Sequence, residues 1–122
     1  TLSLHDALPI SGPFEAALLA LAVSNLLDNA IEFSPAGGTV QVNLAGTRIT
    51  VTDTGPGVPD YALPRLGERF FSTPRPNGER TGSGLGLAIV RQIMALHHGT
   101  LHLANLAPAA GPGLRAELVF PT

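Results

Sequence analysis

The sequence predicts a two-layer α+β sandwich, with helices packed on one face of a mainly antiparallel sheet, on three observations. Two stretches repeat apolar residues at helical spacing, two pairs of stretches alternate apolar and polar residues, and helices and hairpins follow one another in blocks. A chain of 122 residues is long enough to bury one core without cross-links, so a single main domain is expected.

The first helix is read over residues 14–33. Leu19, Val23, Leu26, Leu27, Ala30 and Ile31 share one side, while Ser24, Asn25, Asp28, Asn29 and Glu32 fall within one polar arc. The helix is therefore amphipathic, with its amides expected on the wet face. Pro35, Gly37 and Gly38 end it, and TVQVNL (39–44) and RITVTD (48–53) form a hairpin around Ala45, Gly46 and Thr47. Residues 54–84 are rich in Gly, Pro, Arg and Thr, a connection of a length that compact domains use for functional loops. A second helix follows over 83–98, with Gly99 as its stop. TLHLAN and RAELVF, joined by a Pro/Gly-rich turn over 108–113, close the chain as a second hairpin.

Composition removes several function classes. With no cysteine there is neither a disulfide framework nor a thiolate metal or redox site. Seven arginines and no lysine stand against nine carboxylates, without a basic stripe and with few aromatics, so no nucleic-acid surface is expected. The longest uninterrupted apolar run, 16–23, is short for a membrane span, and no membrane contact by these residues is expected.

Three motifs carry chemistry. Asn25 and Asn29, four apart, stack their carboxamides one turn above the other on a helix. A carboxamide oxygen is a neutral, hard ligand of the kind Mg²⁺ accepts beside substrate phosphates, although the pair alone reads more readily as solvated amides. In DTGPGVP (53–59), Asp53 follows a strand and can accept a hydrogen bond from an exocyclic amine. Gly55 and Gly57 let backbone approach a flat ring, and a plain turn has the same composition. In RTGSGLGLAIV (80–90), Gly82, Gly84 and Gly86 lie at a helix entry, where free N–H groups and the helix dipole favour a phosphate; a flexible loop is the alternative. The spacing fits neither GxGxxG after a strand nor GxxxxGK[ST].

Jointly and in this order, the motifs resemble those of the ATP-binding catalytic domain of sensor histidine kinases, in the superfamily that includes gyrase, Hsp90 and MutL. NLLDNAIEFSP looks like the N box, DTGPGVP the first glycine box, ERFF the F box and GSGLGLAIV the second glycine box, and the resemblance covers residues 13–122. The wording of residues 53–90 is similar to that of CreC-type sensor kinases. The resemblance implies a domain with an ATP lid over about 60–82 that binds ATP and Mg²⁺. In it Asn29 is the Mg²⁺ ligand, Asn25 lies near the phosphates, and Phe33 lies against adenine. Asp53 takes the adenine amino group, and Gly55 and Gly57 shape the base pocket. Thr81, Gly82, Ser83, Gly84, Leu85 and Gly86 wrap the phosphates. Arg69 is a further phosphate candidate, although pairing with Glu68 or Asp60 suits it equally.

The implied reaction moves the γ-phosphoryl of ATP to a histidine on a separate dimerisation domain, upstream of a response regulator. The parent protein would be a bacterial inner-membrane sensor with this domain in the cytoplasm. Superfamily ATPases place a glutamate where Asn25 stands; an amide has no accessible pKa for activating water, which favours transfer over hydrolysis. A truncated, non-catalytic nucleotide-binding fragment is the other alternative. Glu32 departs from the family's basic residue and is read as a solvated charge. His5 in LSLHDALPI resembles a phosphoacceptor box, but Pro9 is misplaced and no helical hairpin fits before residue 25. Residues 1–12 look like non-native or disordered sequence, and the sheet is expected to lack its first strand or strands. His97, His98 and His102 are read as structural rather than metal-binding.

Overall fold

The computed structural model describes residues 15–68, 85–107 and 111–121. The expectations for residues 1–12, for Arg69 and for 81–84 lie outside the described residues, as does most of the lid.

Helix α1 spans Ala16–Phe33. Strands β1 (Val40–Ala45) and β2 (Arg48–Asp53) form the first hairpin, and a short 3₁₀ turn, Leu63–Arg65, follows. Helix α2 spans Gly86–Leu96, and β3 (Thr100–Asn105) and β4 (Leu114–Val119) form the second hairpin. The four strands are antiparallel in the order β1-β2-β4-β3. The second hairpin thus docks β4 beside β2, and the end of β2 at Asp53 meets the end of β3 at Asn105 and the start of β4 at Leu114, far along the chain.

Strand alternation decides what is inside. Ile49, Val51, Ala116 and Leu118 point inward and are buried, while Arg48, Thr50 and Thr52 lie on the outer face. Asp53 occupies the next inward position after Val51, so the parity that buries two aliphatics also buries a carboxylate. Leu19, Ala22, Leu26 and Ala30 form the buried stripe of α1, and with Val90, Ile93 and Met94 of α2 they complete the core. Each fully buried leucine contributes about 1.5–3 kcal/mol relative to an exposed one. By length and composition α1 could cross a membrane, but its four buried positions pack on the sheet and α2, and it carries Asp28 and Glu32 on its exposed side.

β1 is an outer strand of this four-stranded sheet, and Val42 and Leu44, whose partners Val51 and Ile49 point inward, remain exposed.

Helix α2 ends differently from the sequence expectation. His98, not Gly99, takes the left-handed conformation (φ 60°). His98 N donates to Ala95 O and Gly99 N to Met94 O, the paired bonds of a Schellman end. Glycine is required at 99 by packing, because a Cβ would lie 2.6 Å from both Met94 Cε and Val119 O. His97 joins the two helices: its Nδ1–H donates to Ile93 O at 2.7 Å, which leaves Nε2 to accept the Glu15 N–H at 3.0 Å. Among the described residues no three His, Asp or Glu side chains are grouped to hold a metal.

Candidate functional site

Asn25, Asn29 and Phe33 are spaced by four residues on α1 and line one edge of it over about 12 Å. At one end, Asn25 Oδ1 lies 3.7 Å from where a Gly86 Cβ would stand, at the first residue of α2. At the other end, the Phe33 carbonyl packs so closely on Gly55 that no Cβ fits there. The helix edge therefore connects the mouth of α2 to the loop that follows β2.

The amides are not on the wet face as expected. Ser24, Asp28 and Glu32 are exposed, but Asn25 and Asn29 are half-buried, and Asn25 Nδ2 is fully buried with no hydrogen-bond partner among the described residues. For Asn25 the physical reason is α2, which packs against α1 and sets its first residue, Gly86, beside that amide. A buried donor without a partner costs about 1–3 kcal/mol. Helix α2 begins beside Asn25 with Leu85 as its N-cap residue, whose own side chain makes no capping bond.

At the other end the polar groups are satisfied. Asp53 is 2% exposed, and its Oδ1 accepts N–H bonds from Gly55 at 2.9 Å and from Leu114 at 3.2 Å. Oδ2 has no protein partner among the described residues. Burial pushes the Asp53 carboxyl above its ordinary range, and the two backbone bonds offset part of that shift.

The loop after Asp53 is also held from behind. Gly57 has φ 75°, a conformation glycine alone adopts freely, and Val58 N and O both bond the Asn105 side chain. Gly113 is packed so tightly on the Asp53 carbonyl that it too admits no Cβ. Farther along, Arg91 of α2 donates from Nη2 to Leu66 O at 3.1 Å, tying the segment after the loop to the helix.

The structure thus places Asn25, Asn29 and Phe33 on one edge of α1, with Leu85 and Gly86 at the end beside Asn25, Gly55 against Phe33, and Asp53 and Gly57 on either side of Gly55 in the chain. Arg69, Thr81, Gly82, Ser83 and Gly84 lie outside the described residues. Sequence reasoning missed Asn105, Leu114, Gly113 and Arg91. A shallow recess lined by Thr39, Gln41, Thr52 and Thr54 also touches Asp53, but it opens on the sheet face that carries Gln41 and Thr52, away from α1.

Comparisons with known proteins identify the family and the fold. Residues 15–122 match the model of the family described as "Histidine kinase-, DNA gyrase B-, and HSP90-like ATPase". The sensor protein QseC of Salmonella typhi is 49% identical over 107 residues, covering 87% of this chain and 22% of that protein. The sensor protein CreC of Escherichia coli K12 is 48% identical over 96 residues, covering 75% of this chain and 20% of that protein. The chain therefore spans about a fifth of the length of these relatives. Among solved structures, a mycobacterial sensor histidine kinase, MprB, superposes with a TM-score of 0.74 at 38% identity, over 92% of this chain and 74% of that one. The cytoplasmic segment of the histidine kinase QseC gives a TM-score of 0.63 at 29% identity, over 93% and 52%.

Proposed function

The chain belongs to the histidine kinase-, DNA gyrase B- and HSP90-like ATPase family, and we propose that it is the catalytic domain of a two-component sensor histidine kinase. In this reading it binds ATP with Mg²⁺ and presents the γ-phosphoryl to a histidine on a separate dimerisation domain of the parent protein, which then serves a response regulator. The parent is a membrane sensor with this domain on the cytoplasmic side. The observation that carries the reading is the edge of α1: Asn25, Asn29 and Phe33 run from the entry of α2 toward the loop that begins at a buried carboxylate.

Each end suits one part of the nucleotide. Asp53 Oδ1 is committed to two backbone amides, so Oδ2 is the oxygen left to accept the adenine amino group. Gly55 and Gly57 leave room for the ring, and Phe33 supplies apolar surface beside it. At the other end the α2 mouth offers N–H groups and a partial positive charge to phosphate oxygens, together with Leu85 and Gly86. Asn25 Nδ2, buried and without a partner among the described residues, is a donor that a phosphate oxygen would satisfy.

The donor set also fits the metal. Mg²⁺ keeps most of its waters and takes one or two protein oxygens plus phosphate oxygens, so a single carboxamide, Asn29, is sufficient. The ion supplies neutralisation of phosphate charge when bound with the nucleotide. The protein's part is positioning: phosphoryl transfer depends on in-line geometry and charge stabilisation rather than on a protein base. Asn25 has no proton-accepting role at neutral pH, which favours transfer over hydrolysis. Arg69 and residues 81–84 are proposed as further phosphate contacts.

Calorimetric titration with ADP–Mg²⁺ tests the reading. Asn29→Ala and Asp53→Ala each lower affinity roughly 10- to 100-fold, the equivalent of one charge-assisted bond. Affinity unchanged from the parent chain in both variants would sink it.

A further inference from the structure

The loop after β2 is fixed at both ends by side chains. At its start Asp53 Oδ1 accepts the Gly55 N–H at 2.9 Å. At its end Asn105, the last residue of β3, donates from Nδ2 to Val58 O at 2.7 Å and accepts the Val58 N–H on Oδ1 at 2.9 Å. One carboxamide thus pairs with both backbone groups of one residue, as a neighbouring strand would. Between the clamps, Gly57 lies against the same carboxamide, where a Cβ would come within 2.6 Å of Asn105 Oδ1. Behind them, Leu106 N donates to Gly113 O at 3.0 Å, and Leu114 N reaches Asp53 Oδ1.

We infer that Asn105 is a positioning residue that sets the preference of this site for a 6-aminopurine over a 6-oxopurine. The inference rests on the reading that Asp53 accepts the base's exocyclic amine. A 6-oxopurine would set its carbonyl oxygen against Asp53 Oδ2, acceptor facing acceptor. That rejection holds only while the carboxylate and the Gly55–Gly57 backbone stay in place. If the loop slackens, water enters between the two acceptors and the penalty falls. Asp53 secures its own end of the loop, and Asn105 secures the other.

The chemistry of position 105 is restrictive. A carboxamide supplies a donor and an acceptor in one plane. A carboxylate supplies only acceptors and would face the Val58 carbonyl with like charge density, whereas alanine supplies neither group. Asn105→Asp is therefore a near-isosteric change that breaks the clamp.

The experiment measures ADP–Mg²⁺ and GDP–Mg²⁺ affinity by calorimetry on the purified chain and its Asn105→Asp variant, with hydrogen exchange at the Val58 amide. The expected result is about a tenfold loss of ADP affinity, less than a twofold change for GDP, and at least tenfold faster exchange at Val58. Where Asn105→Asp gives no cooperative melt, Asn105→Ser, which keeps one hydroxyl, shifts the ADP-to-GDP ratio in the same direction by a smaller factor. An ADP-to-GDP ratio that stays within twofold of the parent's overturns the inference alone, and so does an equal loss for both nucleotides, which is the mark of mere destabilisation. Failure of the parent chain to bind ADP overturns the nucleotide reading and this inference with it.

Discussion

The two ends of the proposed site are built in opposite ways. At the base end, Asp53 Oδ1 and both atoms of the Asn105 carboxamide bond the protein's own backbone, and a single oxygen, Asp53 Oδ2, is left over. At the phosphate end, Asn25 Nδ2 is buried without a partner among the described residues, beside the first residue of α2. Among the described residues, the fold satisfies the polar groups of the base end and leaves one buried donor open at the other. A flat, neutral ring gains from a rigid, shaped surface. A polyanion gains from donors that have no competing partner, at the cost of stability in the free chain. The difference also divides the substitutions: loosening the backbone clamp at the base end should lower stability and affinity together, whereas change at the phosphate end should move them apart.

The largest effect is expected at Gly57. Its φ of 75° is strained for any side chain, and a Cβ would meet Asn105 Oδ1 at 2.6 Å and Gly113 O at 3.3 Å. Gly57→Ala should cost about 1–3 kcal/mol of stability and weaken ADP–Mg²⁺ binding with it. Gly46, in the first hairpin, is the internal control, because its φ is 58° but nothing lies within 4 Å of its Cβ position. Conformation alone is at issue there, so Gly46→Ala should cost less and leave nucleotide affinity unchanged. Chemical denaturation of both variants measures the gap, and equal costs would mean that the Asn105 clamp does not constrain the loop.

Position 25 should show the opposite sign. Replacing an unpartnered buried donor by an apolar side chain of similar size removes a desolvation cost of about 1 kcal/mol. Asn25→Leu is expected to be neutral or up to about 1 kcal/mol more stable than the parent chain, while its ADP–Mg²⁺ affinity drops about tenfold. A clear loss of stability in Asn25→Leu would show that the amide is satisfied in solution and would remove the contrast between the two ends.

How much of this was legible in the sequence follows from distance along the chain. The helices, both hairpins and the helices' shared side of the sheet follow from periodicity within single segments. Element ends shifted by a few residues, as with α1 starting at Ala16 and α2 at Gly86. Asn25, Asn29, Asp53, Gly55 and Gly57 could be marked as candidates because each stands inside a local motif. Asn105, Gly113 and Leu114 could not, because their relevance arises only when β4 inserts between β2 and β3. Within TLHLAN, Asn105 looks like any polar residue at a strand end. The placement of Asn25 failed for the same reason: helical phase puts it in the polar arc, but α2, some 60 residues later, sets Gly86 beside it. His98 was passed over because Gly99 beside it has the stronger intrinsic claim to a helix stop, while the close approach of Met94 and Val119 O reserves that glycine for packing.

The smallest effect concerns pH and separates stability from binding at the base end as well. Burial raises the Asp53 carboxyl above its ordinary range, against the lowering influence of the Gly55 and Leu114 amides, so the folded chain holds this proton more tightly than the unfolded chain. Its stabilising contribution is complete below the unfolded value and is lost as pH rises through the folded one. Acidification through that window therefore stabilises the fold at this residue. Because Oδ1 already accepts two N–H bonds, the proton goes to Oδ2, which changes from acceptor to donor and can no longer receive an amino group. Thermal melts and ADP–Mg²⁺ titrations of the parent chain and of Asp53→Asn, a mimic of the protonated group, isolate this residue from the exposed carboxylates. The stability advantage of Asp53→Asn should shrink as pH falls while the affinity of the parent chain approaches that of the variant. A stability difference that stays constant across the acidic range would mean that Asp53 titrates as an ordinary carboxylate and that its burial leaves no energetic trace.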